Sequence, residues 1–396
     1  MKRDEALEHT LQIPYPYVLL QYPTGYGKSR LAIERVKKDL TGIGRSLLIV
    51  VYREVHKKTW KVELKKWWAD YDQHIRVEFT TYAGMHNKVG TYDYAIFDEC
   101  HHLTPRCLEL LKDYFFFHVT LLSATVKDSL IQALKIQFRN LYVNKIDLRD
   151  AINEEVLPDP TVYLIPMTLK SDVPTECLWK NPKAKGRVIE CNWAERWHFI
   201  KQKNFKVRIY CTQFQYVQDL NSQITYWKNL TMRTHSEIAR NKWLRLCGER
   251  LKYLSDIKTS FVKELLKYLK DYRTLTFCNS IEHTKELGEH YINSKNKNYQ
   301  KVLDAFNEGR IKHITACDIL NEGMNLTDCR VGIYANLNSS DTLIKQKTGR
   351  LLRHPHPVII IPYYKGTREQ EIVESMLENY NPELVKTINF KEEIVL

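Results

Sequence analysis

The stretch Pro23-Thr24-Gly25-Tyr26-Gly27-Lys28-Ser29 lies between an apolar run at residues 17–20 and a segment with helical spacing at residues 31–36. A strand, a glycine-rich loop and a helix in this order are typical of a phosphate-binding loop. The glycines let successive N–H groups and the helix N-terminus point at an anion. We therefore predict that Lys28 reaches the β and γ phosphates of a nucleotide and that Ser29 offers its hydroxyl to Mg²⁺. An ordinary surface turn is the alternative, because the strict pattern has Gly where this chain has Tyr22.

The composition is that of a globular protein long enough for two domains. The chain has 396 residues, of which 43% are hydrophobic and 27% charged. No apolar run approaches the roughly 18 residues of a membrane span, and residues 1–5 begin no signal segment. The nine cysteines are scattered, which predicts free thiols in a reducing, cytoplasmic compartment. A zinc site at Cys177, Cys191, Cys211 and Cys247 is conceivable, but their spacing matches no zinc pattern.

Strand-like and helix-like segments alternate along both halves of the chain, which predicts two parallel α/β sheets. We expect one domain at residues 1–150, a proline-containing linker at 151–160 and a second domain at 161–396. A helical segment at residues 56–70 carries three tryptophans, which we interpret as core packing. The predicted strands of the first sheet are residues 17–20, 46–51, 76–80, 94–97 and 118–122. Those of the second are residues 161–165, 274–278, 311–316, 331–334 and 358–361.

An insertion of different composition occupies residues 170–235. It contains 12 Lys or Arg residues and 5 Asp or Glu residues, and the resulting excess of positive charge is more than half of the chain's net charge of +13. It also contains four of the eight tryptophans. A strongly basic chain favours a polyanionic partner. Basic residues interleaved with aromatic residues could form a nucleic-acid surface. The alternatives are a small folded unit whose lysines are solvated, and a surface for a protein partner.

Asp98-Glu99-Cys100-His101 directly follows the predicted strand at residues 94–97. A carboxylate at the C-terminal end of a strand, in the same sheet as a phosphate loop, lies where a Mg²⁺ contact is needed. We predict that Asp98 holds the metal through water and that Glu99 polarises the attacking water as a general base.

The order of these motifs resembles that of the superfamily 2 helicases and translocases of the DEAD/DEAH-box-like group. Ser123-Ala124-Thr125 follows the Asp-Glu-Cys-His motif, and the resemblance continues through the C-terminal half. The linker is similar to that of the branch with restriction-enzyme motor subunits and phage recombination helicases, which points to a bacterial or phage-infected cell. The further segments that carry the resemblance are residues 50–60, 81–82, 275–280, 306–309, 316–326 and 346–353.

The resemblance implies two RecA-like domains that bind ATP and Mg²⁺ in the cleft between them, and a nucleic-acid partner, DNA rather than RNA. It implies that Arg350 and Arg353 reach over from the second domain as arginine fingers and that Gln346 positions water or the γ-phosphate. The implied nucleotide-binding residues are Thr24, Gly25, Tyr26, Gly27, Lys28, Ser29 and Gly323. The implied coupling residues are His101, Ser123, Ala124 and Thr125, and the implied nucleic-acid contacts are Arg53, Thr81, Asn279 and Cys317.

Four departures from the family pattern leave all the catalytic groups in place, and one of them is the segment at residues 50–60, which lacks the family's usual Pro and Gln. Arg3-Asp4-Glu5 stands where the family has its adenine-reading Gln, Cys317 where Thr is common and Asn325 where Asp is common. The sequence predicts an ATP-dependent nucleic-acid helicase or translocase that acts in replication, recombination or repair. The alternatives are an ATP-switched nucleic-acid binding or annealing protein, and the motor subunit of a restriction or defence complex.

Overall fold

The structure, a computed structural model, describes residues 3–293, 295–296, 298–317, 326–337, 348–349 and 351–396. Within these residues the chain forms three β-sheets, of six, three and seven strands. Both larger sheets are parallel throughout and are flanked by helices, so the predicted α/β architecture is confirmed.

The first sheet is formed by residues 17–145. Its strands are β1 (Tyr17–Gln21), β2 (Arg45–Val51), β3 (Ile75–Thr81), β4 (Thr91–Phe97), β5 (Phe115–Ser123) and β6 (Tyr142–Lys145). Their order across the sheet is β3-β2-β4-β5-β1-β6. The helices are α1 (Arg3–Leu11), α2 (Lys28–Asp39), α3 (Glu54–Trp67), α4 (Tyr71–His74), α5 (Pro105–Leu110), α6 (Asp128–Gln137) and α7 (Leu148–Asn153).

Helices cover both faces of this sheet, which is why its central strands are continuous apolar runs. Along β2, Leu47, Ile49 and Val51 belong to one buried cluster, while Leu48 and Val50 belong to another on the opposite face. Successive side chains of a strand point to opposite faces, so neither face can carry polar residues here.

The predicted linker, residues 151–160, begins inside α7 and packs against the core. The N–H groups of Val156 and Leu157 both donate to the carbonyl oxygen of Ala151 at 3.0 Å, which ends the helix. Val156 and Leu157 are buried in a cluster that contains residues of both large sheets. The chain then enters β7 (Thr161–Met167) of the second sheet.

A smaller unit follows β7. Its strands are β8 (Glu176–Lys180), β9 (Val188–Asn192) and β10 (Lys206–Cys211), with α8 (Arg196–Ile200) between the last two. The central strand, β10, pairs antiparallel with β8 and parallel with β9. Two long helices, α9 (Gln213–Thr234) and α10 (Glu237–Asp256), pack together through Leu220, Ile224 and Leu246.

The second large sheet is completed by residues 259–387. Its remaining strands are β11 (Thr274–Phe277), β12 (Tyr291–Ile292), β13 (His313–Ala316), β14 (Val331–Tyr334), β15 (Val358–Tyr364) and β16 (Val385–Thr387). The strand order is β12-β13-β11-β14-β15-β7-β16. The helices are α11 (Thr259–Tyr268), α12 (Ile281–Leu287), α13 (Tyr299–Asn307) and α14 (Arg368–Leu377).

A fully buried ion pair lies between the helices and β15 of this domain. Lys258 Nζ is 2.6 Å from Glu369 Oε1 and donates to the carbonyl oxygen of Pro362 at 3.2 Å. Glu369 Oε2 accepts the N–H of Tyr364 at 3.1 Å. These hydrogen bonds satisfy both charges, as burial requires.

All nine cysteines are free thiols. Within the described ranges no group of three or more His, Cys, Asp or Glu side chains could hold a metal ion. None of the helices that the structure describes is both long and apolar enough to cross a membrane.

Candidate active site

The segment between β1 and α2 has the backbone of a phosphate-binding loop. Gly25 and Gly27 have φ angles of +92° and +101°, in the left-handed region that favours glycine. Gly27 precedes the first turn of α2, and that turn contains no acidic residue. The positive end of the helix dipole is therefore available to an anion beside Lys28 and Ser29.

The two tyrosines of this loop point into the core. Tyr22 is fully buried, and its ring centroid lies 4.6 Å from that of Tyr26. Burial raises the pKa of Tyr22 to about 12, so its hydroxyl stays protonated beside Thr10 Oγ1, 3.3 Å away. Tyr22 can stand where the strict pattern has its first glycine, because its side chain is buried in the core and does not fill the phosphate loop.

Two side chains of the loop carry polar groups toward the cleft. Lys28 Nζ donates to the carbonyl oxygens of Tyr22 at 2.9 Å and Pro23 at 3.3 Å, which holds its ammonium group across the loop. Thr24 Oγ1 is buried and has no hydrogen-bond partner among the described residues. A buried hydroxyl without a partner is costly, so this position fits a polar ligand.

Asp98 follows β4 and is fixed by neighbours that the sequence did not identify. Its N–H donates to the carbonyl oxygen of Val50 at 2.9 Å, and its own carbonyl oxygen accepts the hydroxyl of Tyr82 at 2.8 Å. The indole Nε1–H of Trp60 donates to Asp98 Oδ2 at 2.8 Å. Trp60 is buried in the core, as predicted, but it also orients the carboxylate that is the candidate metal ligand.

The predicted coupling residues lie together. Glu99 has a φ of +50°, unusual for a residue with a side chain, and its Oε2 lies 3.3 Å from His101 Nδ1. That nitrogen is 2.9 Å from Ser123 Oγ, whose hydroxyl donates to the carbonyl oxygen of Thr125 at 2.9 Å. Because the Ser123 hydroxyl already donates its proton to Thr125, the hydrogen bond between His101 and Ser123 must be donated by the Nδ1–H group of His101. Ala124 is buried between these two residues.

A cavity of about 630 Å³ joins the two large domains at this point. On one side it is lined by the phosphate loop with Asp98 and Glu99, and on the other by residues 326–328 and Arg353. The backbones of the two domains touch beside it, since a Cβ on Gly349 would lie 2.4 Å from the carbonyl oxygen of Thr24. Gly323, Gln346 and Arg350 lie outside the described residues.

The far end of the cavity has an aromatic wall. The Arg30 guanidinium lies 4.5 Å from the ring centroid of Trp67 and 3.1 Å from the carboxylate of Asp4. Leu7 of α1 lines the same end. These residues lie beside the segment that lacks the adenine-reading Gln, and sequence reasoning had placed Trp67 only in the core.

The chain resembles known proteins in part of its sequence and in its fold. Residues 257–355 match the family described as the helicase conserved C-terminal domain. Dbp5 of S. cerevisiae, in a structure bound to RNA and ADP BeF3, aligns with 98% of this chain and 89% of its own at a TM-score of 0.59 and 12% identity. The fold of this chain is therefore similar to that of Dbp5.

Two further proteins resemble this chain, one in its fold and one in part of its sequence. The ATP-dependent Type ISP restriction-modification enzyme LlaBIII, in a structure bound to DNA, aligns with 98% of this chain at a TM-score of 0.56 and 12% identity. The chain spans 31% of LlaBIII. A 51.5 kDa protein of Lactococcus phage (isolate 7-9) is 25% identical over 107 residues, which is 24% of this chain and 24% of the phage protein.

The four predicted nucleic-acid contacts of the two large domains differ in their surroundings. Arg53 is exposed, and its guanidinium lies 5.1 Å from the ring centroid of Tyr52. Thr81 Oγ1 instead caps a short helix by accepting the N–H of Gly84. Asn279 Nδ2 donates to Asp256 Oδ1 of α10 at 3.2 Å. The Cys317 thiol is buried, so a contact by its side chain is not available in this arrangement.

Proposed function

We propose that this chain is a nucleic-acid-dependent ATPase that unwinds or translocates along DNA in replication, recombination or repair. The observation that carries the proposal is the single cavity in which the phosphate loop, two carboxylates and Arg353 of the second domain meet. A helicase C-terminal domain in residues 257–355 supports it.

The first domain would bind and orient the nucleotide. The N-terminus of α2 and Lys28 would take the phosphates, and Thr24 lines the same cavity. Ser29 and Asp98 provide hydroxyl and carboxylate oxygens, which are the ligands that Mg²⁺ prefers, so the residues present fit this ion. Mg²⁺, when bound, would neutralise charge on the phosphates. Glu99 would accept a proton from the attacking water.

The second domain would make hydrolysis depend on closure of the cleft. Arg353 faces the phosphate loop across the cavity, where a planar cation can stabilise charge that develops in the transition state. Such a residue is worth about 10³–10⁵ in rate in related phosphoryl-transfer enzymes. On the resemblance alone, we assign Arg350 the role of a second arginine finger and Gln346 that of positioning water or the γ-phosphate.

Base recognition would rest on the aromatic wall at the far end of the cavity. The planar Arg30 guanidinium, which lies against the Trp67 ring, and the apolar Leu7 would let any base stack there. Without a Gln that reads the adenine edge, discrimination between ATP and GTP should be small, less than about 10-fold, since stacking is tolerant of base identity. Turnover of the four nucleoside triphosphates measures this directly.

DNA as the track rests on the branch resemblance and is supported by LlaBIII, whose structure is bound to DNA. Dbp5, bound to RNA, has the same fold, so both polymers belong in the test. Contacts by a motor of this kind are made to the phosphate backbone, and affinity should fall steeply with salt.

The experiment is ATP turnover with no nucleic acid, single-stranded DNA, duplex DNA, branched DNA and RNA, with Lys28→Ala as the blank. Stimulation by one polymer that is absent in the blank supports the motor and names its track. Flat turnover across all five conditions refutes an independent motor.

A switch protein that binds ATP without hydrolysing it is separated from the motor by Glu99→Gln. The motor predicts a loss of turnover with retained ATP binding, while the switch predicts no change in either. The restriction or defence alternative has support of its own, because this chain aligns with a part, 31%, of the restriction-modification enzyme LlaBIII. Co-purification with a nuclease or methyltransferase chain would favour it.

A further inference from the structure

The three-stranded sheet of β8, β10 and β9 has one covered face and one open face. Along β10, Val207, Ile209 and Cys211 are buried in a small core, whereas Arg208 and Tyr210 alternate with them on the other face. The covered face packs on side chains of α8 and α9. Tyr210, on that other face, is 37% exposed.

The open face carries two aromatic rings with a guanidinium between them. Trp179 on β8 is 49% exposed and lies opposite Arg208, while Tyr210 is the next outward residue along β10. The Arg208 guanidinium lies 5.7 Å from the Trp179 centroid and 5.1 Å from the Tyr210 centroid. The Glu190 carboxylate on β9 accepts hydrogen bonds from both Arg208 and Tyr210, which ties these two side chains together. An exposed patch of large rings on a sheet usually marks a binding surface.

A cluster of cations, here called the basic tip, adjoins this face. The β8–β9 loop (181–187) and the α8–β10 loop (201–205) lie at the same end of the sheet, because Val207 pairs with Lys180 and Lys206 with Val188. The N–H of Gly186 donates to the carbonyl oxygen of Asn204 at 3.1 Å, which joins the two loops. Neither loop contains Asp or Glu. The basic tip consists of the exposed residues Lys183, Lys185, Arg187, Lys201 and Lys203.

No carboxylate of the described residues lies within 4.0 Å of a cationic nitrogen in the basic tip. Five positively charged side chains on two joined loops repel one another, so this arrangement does not stabilise the fold. A polyanion would remove the repulsion. The aromatic rings beside the tip provide flat apolar surfaces that fit the faces of bases.

We propose that the open face and the basic tip together form a binding site for single-stranded nucleic acid. Bases would stack on Trp179 and Tyr210, and the backbone phosphates would lie along the basic tip. A duplex hides the faces of its bases, so a single strand is the form that this chemistry selects. Aromatic platforms on an open β-sheet bind single strands in this way with little dependence on sequence.

This site is separate from the ATP cleft and stands without the motor proposal. Where the motor also binds the strand, two sites on one chain would raise the effective concentration of the substrate at the cleft. The site would then hold the displaced or incoming strand between turnover events.

The test measures how tightly the full chain binds fluorescent oligonucleotides of about 12 nucleotides. The oligonucleotides are single-stranded DNA, single-stranded RNA and a blunt duplex. Trp179→Ala and Tyr210→Ala should each weaken single-strand binding, by about 5- to 150-fold if the ring stacks on a base. Trp179→Phe should retain most of the affinity. Tyr226→Ala, which removes an aromatic ring 61% exposed on α9, is the matched control and should bind as wild type.

A second variant tests the phosphate contacts. Replacing Lys183, Lys185 and Lys203 together by Gln should reduce the slope of log affinity against log salt by about 2, since each single-strand phosphate contact contributes about 0.7. ATP turnover without nucleic acid should be unchanged in all these variants, which separates failure of this site from failure of the motor. The DNA and RNA arms identify the preferred strand.

Unchanged affinity of both alanine variants for both single strands overturns the proposal, and the face would then be assigned to a protein partner. An equal loss on duplex and on single strands also overturns it, because a duplex has no free base faces for the rings. A positive result is confirmed by photocrosslinking of a halogenated oligonucleotide, with the adduct expected on Trp179 or Tyr210.

Discussion

Replacing Trp60 by Phe tests whether the core of the first domain positions the metal ligand. The substitution keeps a buried aromatic ring in α3 but removes the indole N–H that donates to Asp98 Oδ2 at 2.8 Å. Asp98 would keep its backbone hydrogen bonds to Val50 and Tyr82, so the strand end stays in place while the carboxylate loses the hydrogen bond from the indole.

The size of the effect follows from the kind of bond that is lost. A hydrogen bond to a charged group contributes about 1.5–3 kcal/mol, which corresponds to a factor of about 10–150 in an equilibrium constant. Residues that orient a metal ligand typically change metal affinity or activity by about 10- to 100-fold. We therefore expect the Mg²⁺ concentration for half-maximal ATP turnover to rise by about 10- to 100-fold in Trp60→Phe.

The assay is steady-state ATP turnover over a Mg²⁺ titration at fixed ATP and saturating nucleic acid, with a thermal melt of each variant. Trp68→Phe is the matched control, because Trp68 is half-buried at the end of the same helix and does not contact Asp98. A merely structural role for Trp60 would lower the melting temperature and leave the Mg²⁺ midpoint where it is. That result in a folded Trp60→Phe variant would refute the positioning role.

Three further outcomes are expected. Gly25→Ala should reduce ATP turnover more than Gly27→Ala. Both glycines have a positive φ, but only a Cβ at Gly25 would meet a carbonyl oxygen of the second domain, at 2.8 Å. Equal losses of turnover would exclude the contact between the domains as the cause. Lys258→Met should lower the free energy of unfolding in urea by about 3–5 kcal/mol, and adding Glu369→Leu should restore most of it, since the single variant leaves a buried charge unpaired. Burial holds the pKa of the His283 imidazole below its ordinary value of 6.5. As the pH drops through 6.5, His283 is therefore protonated in the unfolded chain before it is protonated in the folded one, and the free energy of unfolding should fall. His283→Gln should flatten that fall in melts between about pH 7.5 and about pH 5.5, and an unchanged slope would contradict the assignment.

The sequence predicted most of the strands because buried parallel strands are continuous apolar runs, such as residues 46–51. It missed β6 (Tyr142–Lys145), an edge strand of the first sheet with no fully buried residue, where the apolar signal is weak. It also missed how the insertion is built, because β8 and β9 are short and mix exposed with buried positions. Periodicity identifies a strand only where one whole face or both faces are covered.

For the candidate site, the sequence pattern predicted the phosphate loop and the Asp98–Glu99 pair, and the family resemblance implied Arg353, but neither identified the residues that hold these groups in place. The geometry brings Lys28, Asp98, Glu99 and Arg353 to one cavity. The hydrogen bond from Trp60 to Asp98 has no local signal, because the two residues are 38 positions apart and meet only when α3 packs on the sheet. An amphipathic helix shows that a tryptophan is buried, but its pattern does not show where the indole N–H points.

The strand order explains why the first domain's groups form one site. Gln21 of β1 pairs with Ser123 of β5, and Phe97 of β4 pairs with Leu121, so three motif-bearing segments leave the same edge of the sheet side by side. The N–H of Tyr22 donates to the Ser123 carbonyl oxygen at 3.0 Å, which ties the phosphate loop to the coupling segment. These groups are fixed relative to one another by the sheet, whereas Arg353 belongs to the other domain. If the motor proposal holds, nucleic acid must therefore stimulate turnover through the position of the second domain and not by rearranging the first.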